Sequence, residues 1–297
     1  MKQWLKRYAF LLLLAAVLIG GESWLNVTDP VSKMTCIWRN DYELIRLQHP
    51  DMTFEKAIFG SSAVTASYIE GREGSVGYAN IGMDYGTVKD ITEMLEKGQL
   101  TVTEDLVLGL NNLSFLDTLP TNATYPWHRK WYEPYLYFQR DRLWQLVTDG
   151  TTNLLNGQPF TKVDSSHQQR AIYRGALSDE DLMESWESLV ERFGETTPEV
   201  DCAQNFAALD RLAAWCEEHG VRLRAIWMPW NGKLEIYPAA QNVMDYANEQ
   251  LERLGIETLD MTRVVEDQYF FDTGHLNYDT GAPWFTDYID PWLAEEG

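Results

Sequence analysis

The sequence of 297 residues predicts an α/β fold of three layers, in which helices cover both faces of a parallel, five-stranded sheet. The first observation behind this prediction is a series of five short apolar runs, each of which ends in glycine, asparagine or aspartate. The second observation is that helix-like stretches separate several of these runs. Strands that alternate with helices in this way are typical of parallel sheets.

The predicted strands and helices follow one another along most of the chain. The strands are expected near residues 56–62, 76–86, 104–112, 221–231 and 256–262. The clearest helical stretches are residues 86–98, 205–220 and 239–255. The last two of these stretches stop at Gly220 and Gly255, because glycine readily adopts the left-handed conformation that ends a helix.

The N-terminal segment is predicted to reach a membrane. An apolar run from Ala9 to Ile19 follows the basic residues Lys2, Lys6 and Arg7, and acidic residues come after it. Basic residues before the run and acidic residues after it predict a start inside the cell and a body outside. No clear cleavage site follows, so we expect a single-pass anchor with an extracellular domain. Secretion after signal cleavage is the alternative.

Three parts are predicted along the chain. Residues 1–24 form the anchor or signal segment, residues 25–53 form a polar stalk, and residues 54–297 form the α/β domain. Within this domain, residues 113–200 interrupt the alternation of strands and helices and are rich in aromatic residues. We predict a helical insertion there. Its aromatic side chains are expected to pack internally, with a partner-docking or membrane-facing surface as the alternative.

The composition limits the possible ligands. A formal net charge of −21 argues against nucleic acid as a partner, because phosphates require a basic surface. The same charge also argues against simple electrostatic attraction to any other anionic polymer. The three cysteines, Cys36, Cys202 and Cys216, neither form a disulfide framework nor contain the C-x-x-C pair of a zinc site.

Polar and small residues end the first three predicted strands, where parallel sheets carry their functional sites. These residues are Ser61, Ser62, Gly82, Gly86, Asn111 and Asn112. The two serines stand where an apolar run gives way to a helix-like run. That position predicts either a helix N-cap or a nucleophile on a strand-to-helix turn.

A nucleophilic serine requires a base, usually a histidine that a carboxylate holds in place. Two histidines have an aspartate three residues earlier, namely His167 after Asp164 and His275 after Asp272. The first pair lies in a polar part of the insertion, where a solvated turn is the better interpretation. The second pair follows the last strand, at the edge where sites form. We therefore predict His275 as the base and Asp272 as its orienting carboxylate.

These residues resemble a known superfamily. Gly60-Ser61-Ser62, Gly82 or Gly86, Gly109-Leu110-Asn111 and Asp272-x-x-His275 occur in the order of the four blocks of the SGNH (GDSL-type) hydrolases. The resemblance runs from about residue 54 to residue 293, apart from much of the insertion. It implies a flavodoxin-like α/β/α fold and acyl transfer through a serine ester, without a metal or an organic cofactor.

The resemblance also implies a role for each site residue. Ser62 would be the nucleophile, His275 the base that accepts its proton, and Asp272 the group that orients the histidine. The oxyanion would be held by the Ser62 N–H, the Asn111 side-chain amide and one glycine N–H. Gly86 is the first choice for this glycine and Gly82 the second.

Narrower features resemble the DltD family, the D-alanyl transfer proteins of teichoic-acid D-alanylation. They are the N-terminal anchor, the Gly-Ser-Ser block, the run Pro229-Trp-Asn-Gly-Lys233 and the late Asp-x-x-His-Leu. This resemblance implies an envelope polymer such as teichoic acid as the acceptor and a membrane-bound O-acyltransferase as the partner. Asn231 and Lys233 are predicted to bind substrate, although an Asn-Gly turn explains the run almost as well.

The expected function is that of a membrane-anchored, extracellular serine acyltransferase or thioesterase that modifies the cell envelope, with D-alanyl transfer to teichoic acid as its leading version. One alternative is an exported carbohydrate O-acetyl esterase of the same fold. Another is a noncatalytic adaptor of a membrane-bound O-acyltransferase, which would dock through the insertion. The complete set of serine, asparagine, aspartate and histidine disfavours the adaptor.

Overall fold

The computed structural model describes residues 2–30, 40–119, 125–128, 130–133, 135–160 and 173–295. The chain forms two compact units, each made of two separate segments. The first unit comprises Met1–Asn40 and Asn122–Asp164, and the second comprises Asp41–Thr121 and Ser165–Gly297. The predicted stalk, residues 25–53, is therefore divided between the two units.

The second unit is built around five strands that all run parallel. They are β1 (Thr53–Gly60), β2 (Ala79–Asn80), β3 (Thr101–Leu110), β4 (Arg222–Trp227) and β5 (Glu257–Asp260). Their spatial order is β2-β1-β3-β4-β5. The predicted five-stranded parallel sheet is confirmed. The second strand is much shorter than its predicted span of 76–86, because this edge strand pairs only through Ala79 and Asn80.

Helices cover the sheet and complete the three layers. In chain order the helices are α1 (Lys2–Thr28), α2 (Asp41–Gln48), α3 (Ser62–Ser67), α4 (Val88–Glu96), α5 (Asp141–Leu155), α6 (Asp179–Phe193), α7 (Pro198–Asp201), α8 (Ala203–His219), α9 (Pro238–Arg253) and α10 (Gly281–Leu293). Short 3-10 helices span Asn112–Phe115, Pro126–His128, Tyr137–Gln139 and Asp267–Tyr269. Helices α1 and α5 belong to the first unit, and the others belong to the second.

The predicted helices begin and end where the sequence signals lie. A capping box starts α4, because Thr87 accepts from the Asp90 N–H and the Asp90 carboxylate accepts from the Thr87 N–H. Helix α8 ends at Gly220, which has a φ of 69°. Helix α9 begins with Pro238, which suits the first turn because it needs no N–H acceptor there.

The ends of three strands lie level with one another. Gly60 of β1 pairs with Gly109 of β3, and Gly109 pairs in turn with Ile226 of β4. The residues that follow these strands therefore meet at one edge of the sheet, as expected for the carboxyl ends of parallel strands. On one face of the sheet, α3 and α10 pack against a core that includes Ile58 and Val107.

The predicted insertion, residues 113–200, contains several helices joined by turns among its described residues, and its parts belong to different units. Helix α6 belongs to the second unit. Its Leu182 lies in one apolar cluster with Trp230 and Leu234. In the first unit, Tyr125 and Trp127 are buried and stack on each other, with ring centroids 4.6 Å apart. Other aromatic side chains of the first unit are exposed, namely Trp131, Tyr135, Phe138 and Trp144. Internal packing thus accounts for only some of the aromatic residues.

The first unit also holds the one helix, among the described residues, that is long and apolar enough to cross a membrane. This segment spans Tyr8–Thr28 of α1, with a mean hydropathy of 1.8, and a signal sequence would have the same properties. The C-terminal end of α1 is tied to the second segment of the unit. Arg140 contacts Asn26 at 2.8 Å and Asp29 at 3.0 Å, and Glu22 accepts from the Tyr137 N–H at 2.7 Å.

A buried ion pair links the two central strands of the sheet. The guanidinium of Arg224 on β4 donates to the Asp105 carboxylate on β3 at 2.7 Å, and Arg224 is fully buried. It also donates to the Tyr78 hydroxyl at 2.7 Å and to the Trp292 carbonyl at 2.9 Å. These contacts offset the cost of taking the charge out of water, which for an unpaired ion amounts to several kcal/mol.

Replacing Arg224 with methionine is expected to lower the free energy of unfolding by about 3–5 kcal/mol, because Asp105 would stay buried without its partner. The matched control is Arg211→Met, which removes an exposed pair with Glu96 and should cost less than about 1 kcal/mol. Urea unfolding of the detergent-solubilised protein measures both effects. Equal losses for the two variants would show that the buried pair is unimportant.

Candidate active site

The site begins at the turn between β1 and α3. Gly60 ends the strand, and a side chain there would collide with the Gly109 carbonyl and with Val64 of α3. Glycine therefore allows β1, β3 and α3 to approach closely at this point. Ser61 follows as the N-cap of α3, and its hydroxyl accepts from the Ala63 N–H at 3.4 Å. The cap interpretation of the two serines thus applies to Ser61.

Ser62 is the first residue of α3, and its side chain points to a histidine far along the chain. Its Oγ lies 2.7 Å from Nε2 of His275. The N–H of a residue in the first turn has no carbonyl acceptor within the helix, so the Ser62 N–H is left for another acceptor. The strand-to-helix turn therefore places a hydroxyl, a ring nitrogen and a backbone donor together.

The other nitrogen of the His275 ring faces a carboxylate. Nδ1 lies 2.7 Å from Oδ2 and 2.9 Å from Oδ1 of Asp272. A carboxylate at Nδ1 favours the tautomer with its proton on that nitrogen, which leaves Nε2 free to accept from Ser62. The structure thus brings together the three residues that the sequence predicts as nucleophile, base and orienting group.

The loop that carries Asp272 and His275 folds around the aspartate side chain. Asp272 Oδ1 accepts from the backbone N–H groups of Gly274 at 3.0 Å and His275 at 2.8 Å. Burial raises the pKa of the Asp272 carboxyl. The charge of His275, its ring N–H and these backbone donors outweigh that effect, so the pKa lies below its ordinary value. Asp272 is accordingly ionised at neutral pH.

Asn231 and Lys233 lie outside the part of the cavity lining that the structure describes, which gives no support to their predicted role in substrate binding. Asn231 is buried, and its side-chain amide donates to the Asp272 carbonyl at 3.0 Å. Its Oδ1 accepts from the Lys233 N–H at 3.1 Å. The Lys233 ammonium forms an exposed pair with Asp179 at 2.5 Å. The run from Pro229 to Lys233 is thus a turn that supports the Asp272 loop.

Asn111 borders the site with a fixed orientation. Its Oδ1 accepts from the Ser114 N–H at 3.0 Å, so its Nδ2 must point the other way. Nδ2 donates to the Ser61 hydroxyl at 3.1 Å and has a second hydrogen to offer. Asn112 is buried and donates instead to the Tyr237 hydroxyl at 2.8 Å. Of the two asparagines, Asn111 is the one that faces the serines.

The two glycines predicted as oxyanion donors, Gly86 and Gly82, have their N–H groups bonded to other acceptors. The Gly86 N–H donates to the Met83 carbonyl at 2.9 Å, and the Gly82 N–H donates to Oδ1 of Asn80 at 3.1 Å. Neither glycine belongs to the cavity lining that the structure describes. The intervening residues Asp84 and Tyr85 line it instead. Because both amides are engaged in turns, the structure offers no glycine N–H to an oxyanion here.

Tyr173 is a residue of the site that the sequence analysis does not identify. Its ring stacks on the His275 ring, with centroids 4.0 Å apart and planes inclined by 9°. Burial and then the carboxylates of Asp84 and Asp272 raise the pKa of Tyr173, while an interaction with Ser62 lowers it. The net effect is a rise, so the phenol stays protonated. No spacing rule links an aromatic residue of the insertion to a histidine about 100 residues later.

A cavity of about 280 Å³ opens beside these residues. Ser62, His275 and Asn111 form one part of its wall. Most of the remaining wall is apolar or aromatic and includes Leu113, Leu119, Leu189, Phe193, Trp227 and Met244. A pocket with a few polar groups and a largely apolar lining is typical of sites for small molecules.

No group of three or more histidine, cysteine, aspartate or glutamate side chains is arranged to hold a metal ion in the part of the chain that the structure describes. The competing histidine pair, Asp164 and His167, lies outside the described residues.

Comparisons with known proteins give limited results. The sequence matches no family model, and it matches no curated protein. Among solved structures, the chain is similar to a crystal structure of an acetyl xylan esterase, with 11% sequence identity and a TM-score of 0.37. That similarity covers 81% of this chain and 100% of the esterase chain.

The support that Asn231 gives to the Asp272 loop predicts a difference between two neighbouring substitutions. Asn231→Ala should slow the reaction of Ser62 with a fluorophosphonate probe by about tenfold, because the Asp272 carbonyl loses its amide donor. Lys233→Ala should change this rate by less than about twofold, because exposed ion pairs contribute little. The rate of probe labelling is measured for both, with thermal unfolding as the check on folding. A larger loss of labelling rate in Lys233→Ala than in Asn231→Ala would support the predicted role of Lys233 in substrate binding.

Proposed function

We propose that the protein is a serine-dependent acyl-transfer enzyme, an esterase or acyltransferase that forms an acyl-Ser62 intermediate. The observation that carries this proposal is the 2.7 Å contact between Ser62 Oγ and His275 Nε2, with Asp272 on the opposite ring nitrogen. A serine hydroxyl is a weak nucleophile until an oriented base can take its proton. The contact is the arrangement that activates serine in unrelated hydrolases.

In the proposed first step, Ser62 Oγ attacks the carbonyl carbon of an ester or thioester while its proton passes to His275 Nε2. Asp272 stabilises the resulting imidazolium. The tetrahedral intermediate then collapses, the bond to the leaving group breaks, and His275 returns the proton to that group. Water or an acceptor hydroxyl attacks the acyl-serine in the second step by the same route. The choice between water and an acceptor hydroxyl distinguishes an esterase from a transferase.

Two donors are proposed to stabilise the oxyanion. They are the Ser62 N–H at the start of α3 and the second hydrogen of Asn111 Nδ2, whose oxygen is fixed by Ser114. In this proposal both donors bind the negative charge that develops beside Ser62 in the transition state. Removing one such donor from a serine hydrolase typically costs about 10²–10³ in rate. Gly82 and Gly86 have no part in this version, because their N–H groups are engaged elsewhere.

The leading substrate proposal remains the modification of an envelope polymer, with D-alanyl transfer to teichoic acid as its specific form and a membrane-bound O-acyltransferase as the partner. It is supported by the DltD-like run and by the apolar helix α1, which would hold the extracellular site near the membrane. The exposed aromatic side chains near the outer end of α1 fit a membrane–water boundary. A carbohydrate O-acetyl esterase would use the same residues with water as the acceptor, and it would need no partner.

Labelling with a fluorophosphonate probe tests the nucleophile and its base. Probe attachment is expected at Ser62, and both Ser62→Ala and His275→Ala should lose at least about 99% of the labelling rate. The full-length protein in detergent is used, and mass spectrometry locates the modified residue.

Two matched controls accompany this test. Ser61→Ala should still be labelled, because the Ser61 hydroxyl caps α3 and lies next to Asn111 rather than His275. His219→Ala should match the wild type, because His219 lies at the end of α8 and contacts Trp215. A folded protein that does not react would favour the adaptor hypothesis, and labelling at Ser61 would mean that the nucleophile is wrongly assigned.

The stacked ring of Tyr173 predicts a second mutational result. Tyr173→Ala should slow labelling by about three- to tenfold, because the His275 ring loses the aromatic contact that fixes its plane. Tyr173→Phe keeps the ring and should stay within about twofold of the wild type. Trp215→Ala is the control, since it removes a similar stack on His219 away from the site. A loss in Tyr173→Phe as large as in Tyr173→Ala would assign the role to the hydroxyl group.

A further inference from the structure

The cavity beside Ser62 is larger than a short acyl group requires. Its volume of about 280 Å³ equals roughly nine water molecules, at about 30 Å³ each in the liquid. A two-carbon acetyl group bound at Ser62 would leave most of this space unfilled. A substrate that matches the cavity therefore extends well beyond the carbonyl carbon.

Two polar groups in the apolar part of the wall are bonded to other protein groups, and two more, Trp230 Nε1 and Thr262 Oγ1, are buried without a hydrogen-bond partner among the described residues. The Asn112 amide donates to the Tyr237 hydroxyl at 2.8 Å, and the Trp227 ring N–H donates to Asn248 at 2.7 Å. The larger part of this wall is hydrocarbon and aromatic surface from residues such as Leu189 and Met244, and Arg192 and Ser185 line the cavity as well. Water gains few hydrogen bonds beside such surface, so an apolar group is the ligand that it favours.

We propose that this cavity binds the acyl chain of the substrate and that the protein acts on esters or thioesters of apolar acyl groups with roughly six to ten carbon atoms. The inference rests on the proposed acyl transfer at Ser62, and it replaces the D-alanyl and acetyl groups of that proposal with an apolar acyl group as the substrate. The leaving group must lie at His275 Nε2 to receive its proton, and we assign the apolar part of the cavity, away from His275, to the acyl chain. The chain itself is not altered: the ester bond breaks, and the bond to Ser62 Oγ forms.

A series of p-nitrophenyl esters with acetyl, butyryl, hexanoyl and octanoyl groups tests the length preference with the full-length protein in detergent. We expect kcat/KM to rise by up to about fourfold per added methylene, because each buried methylene contributes apolar transfer free energy. The rise should level off when the cavity is full. A second series consists of acetate esters of alkyl alcohols of increasing length. In this series kcat/KM should not rise with the length of the alcohol.

Filling the cavity with a larger side chain should remove the preference for long acyl groups over acetyl. Met244→Trp adds volume to the wall, so the octanoyl-to-acetyl ratio of kcat/KM is expected to fall by at least about tenfold. Leu189→Trp, at a half-buried wall position on α6, should lower the same ratio. It provides the test if Met244→Trp does not fold. The matched control is Met183→Trp on the exposed side of α6, which should leave the ratio within about twofold of the wild type.

The outcomes separate this inference from the proposed function. Probe labelling at Ser62 together with a preference for acetyl esters, unaffected by Met244→Trp, would overturn the acyl-chain cavity and leave the acyl-transfer proposal standing. A preference for long alcohols at constant acetyl would also overturn it, because the cavity would then hold the leaving group. A protein with neither labelling nor turnover would overturn both proposals.

Discussion

The close approach of β1, β3 and α3 is the constraint on which the rest of the site depends. At Gly60, the Gly109 carbonyl and the Val64 side chain occupy the space that a Cβ atom would need. This approach lets the chain turn from a buried strand into a helix within one residue. Ser61 can then cap α3, and Ser62 can project its hydroxyl from the first turn. A bulkier residue at Gly60 would push the strands apart and displace both serines.

The second half of the site is held by backbone groups and a buried amide. Asp272 accepts from two N–H groups of its own loop, and Asn231 binds the Asp272 carbonyl from the turn after β4. Tyr173 covers the His275 ring from a different segment of the chain. The histidine is therefore restrained at its edge by a carboxylate and on its face by an aromatic ring. Such restraint keeps a base in position before a substrate arrives.

The sequence was sufficient for the fold and for the contact between Ser62 and His275, because strand ends, helix caps and short spacings are local signals. The same signals did not identify Tyr173 or the supporting role of Asn231, since both depend on contacts between segments far apart in the chain. The choice between Gly82 and Gly86 stays open in the sequence for a related reason. Which N–H a turn leaves free depends on local hydrogen bonds, and the sequence of the glycine block does not reveal them.

The division of the chain into two interleaved units affects how the protein can be assembled and shortened. The second unit is interrupted after Thr121 and resumes at Ser165. The residues between them, Asn122–Asp164, belong to the first unit together with Met1–Asn40. During synthesis, α1 emerges long before Arg140. Arg140 contacts Asn26, near the C-terminal end of α1, and Asp29, just beyond it. A shortened protein that begins after Asp29 would thus leave Arg140 without these partners. A fragment made of the second unit alone would have to omit both segments of the first unit and join Thr121 to Ser165.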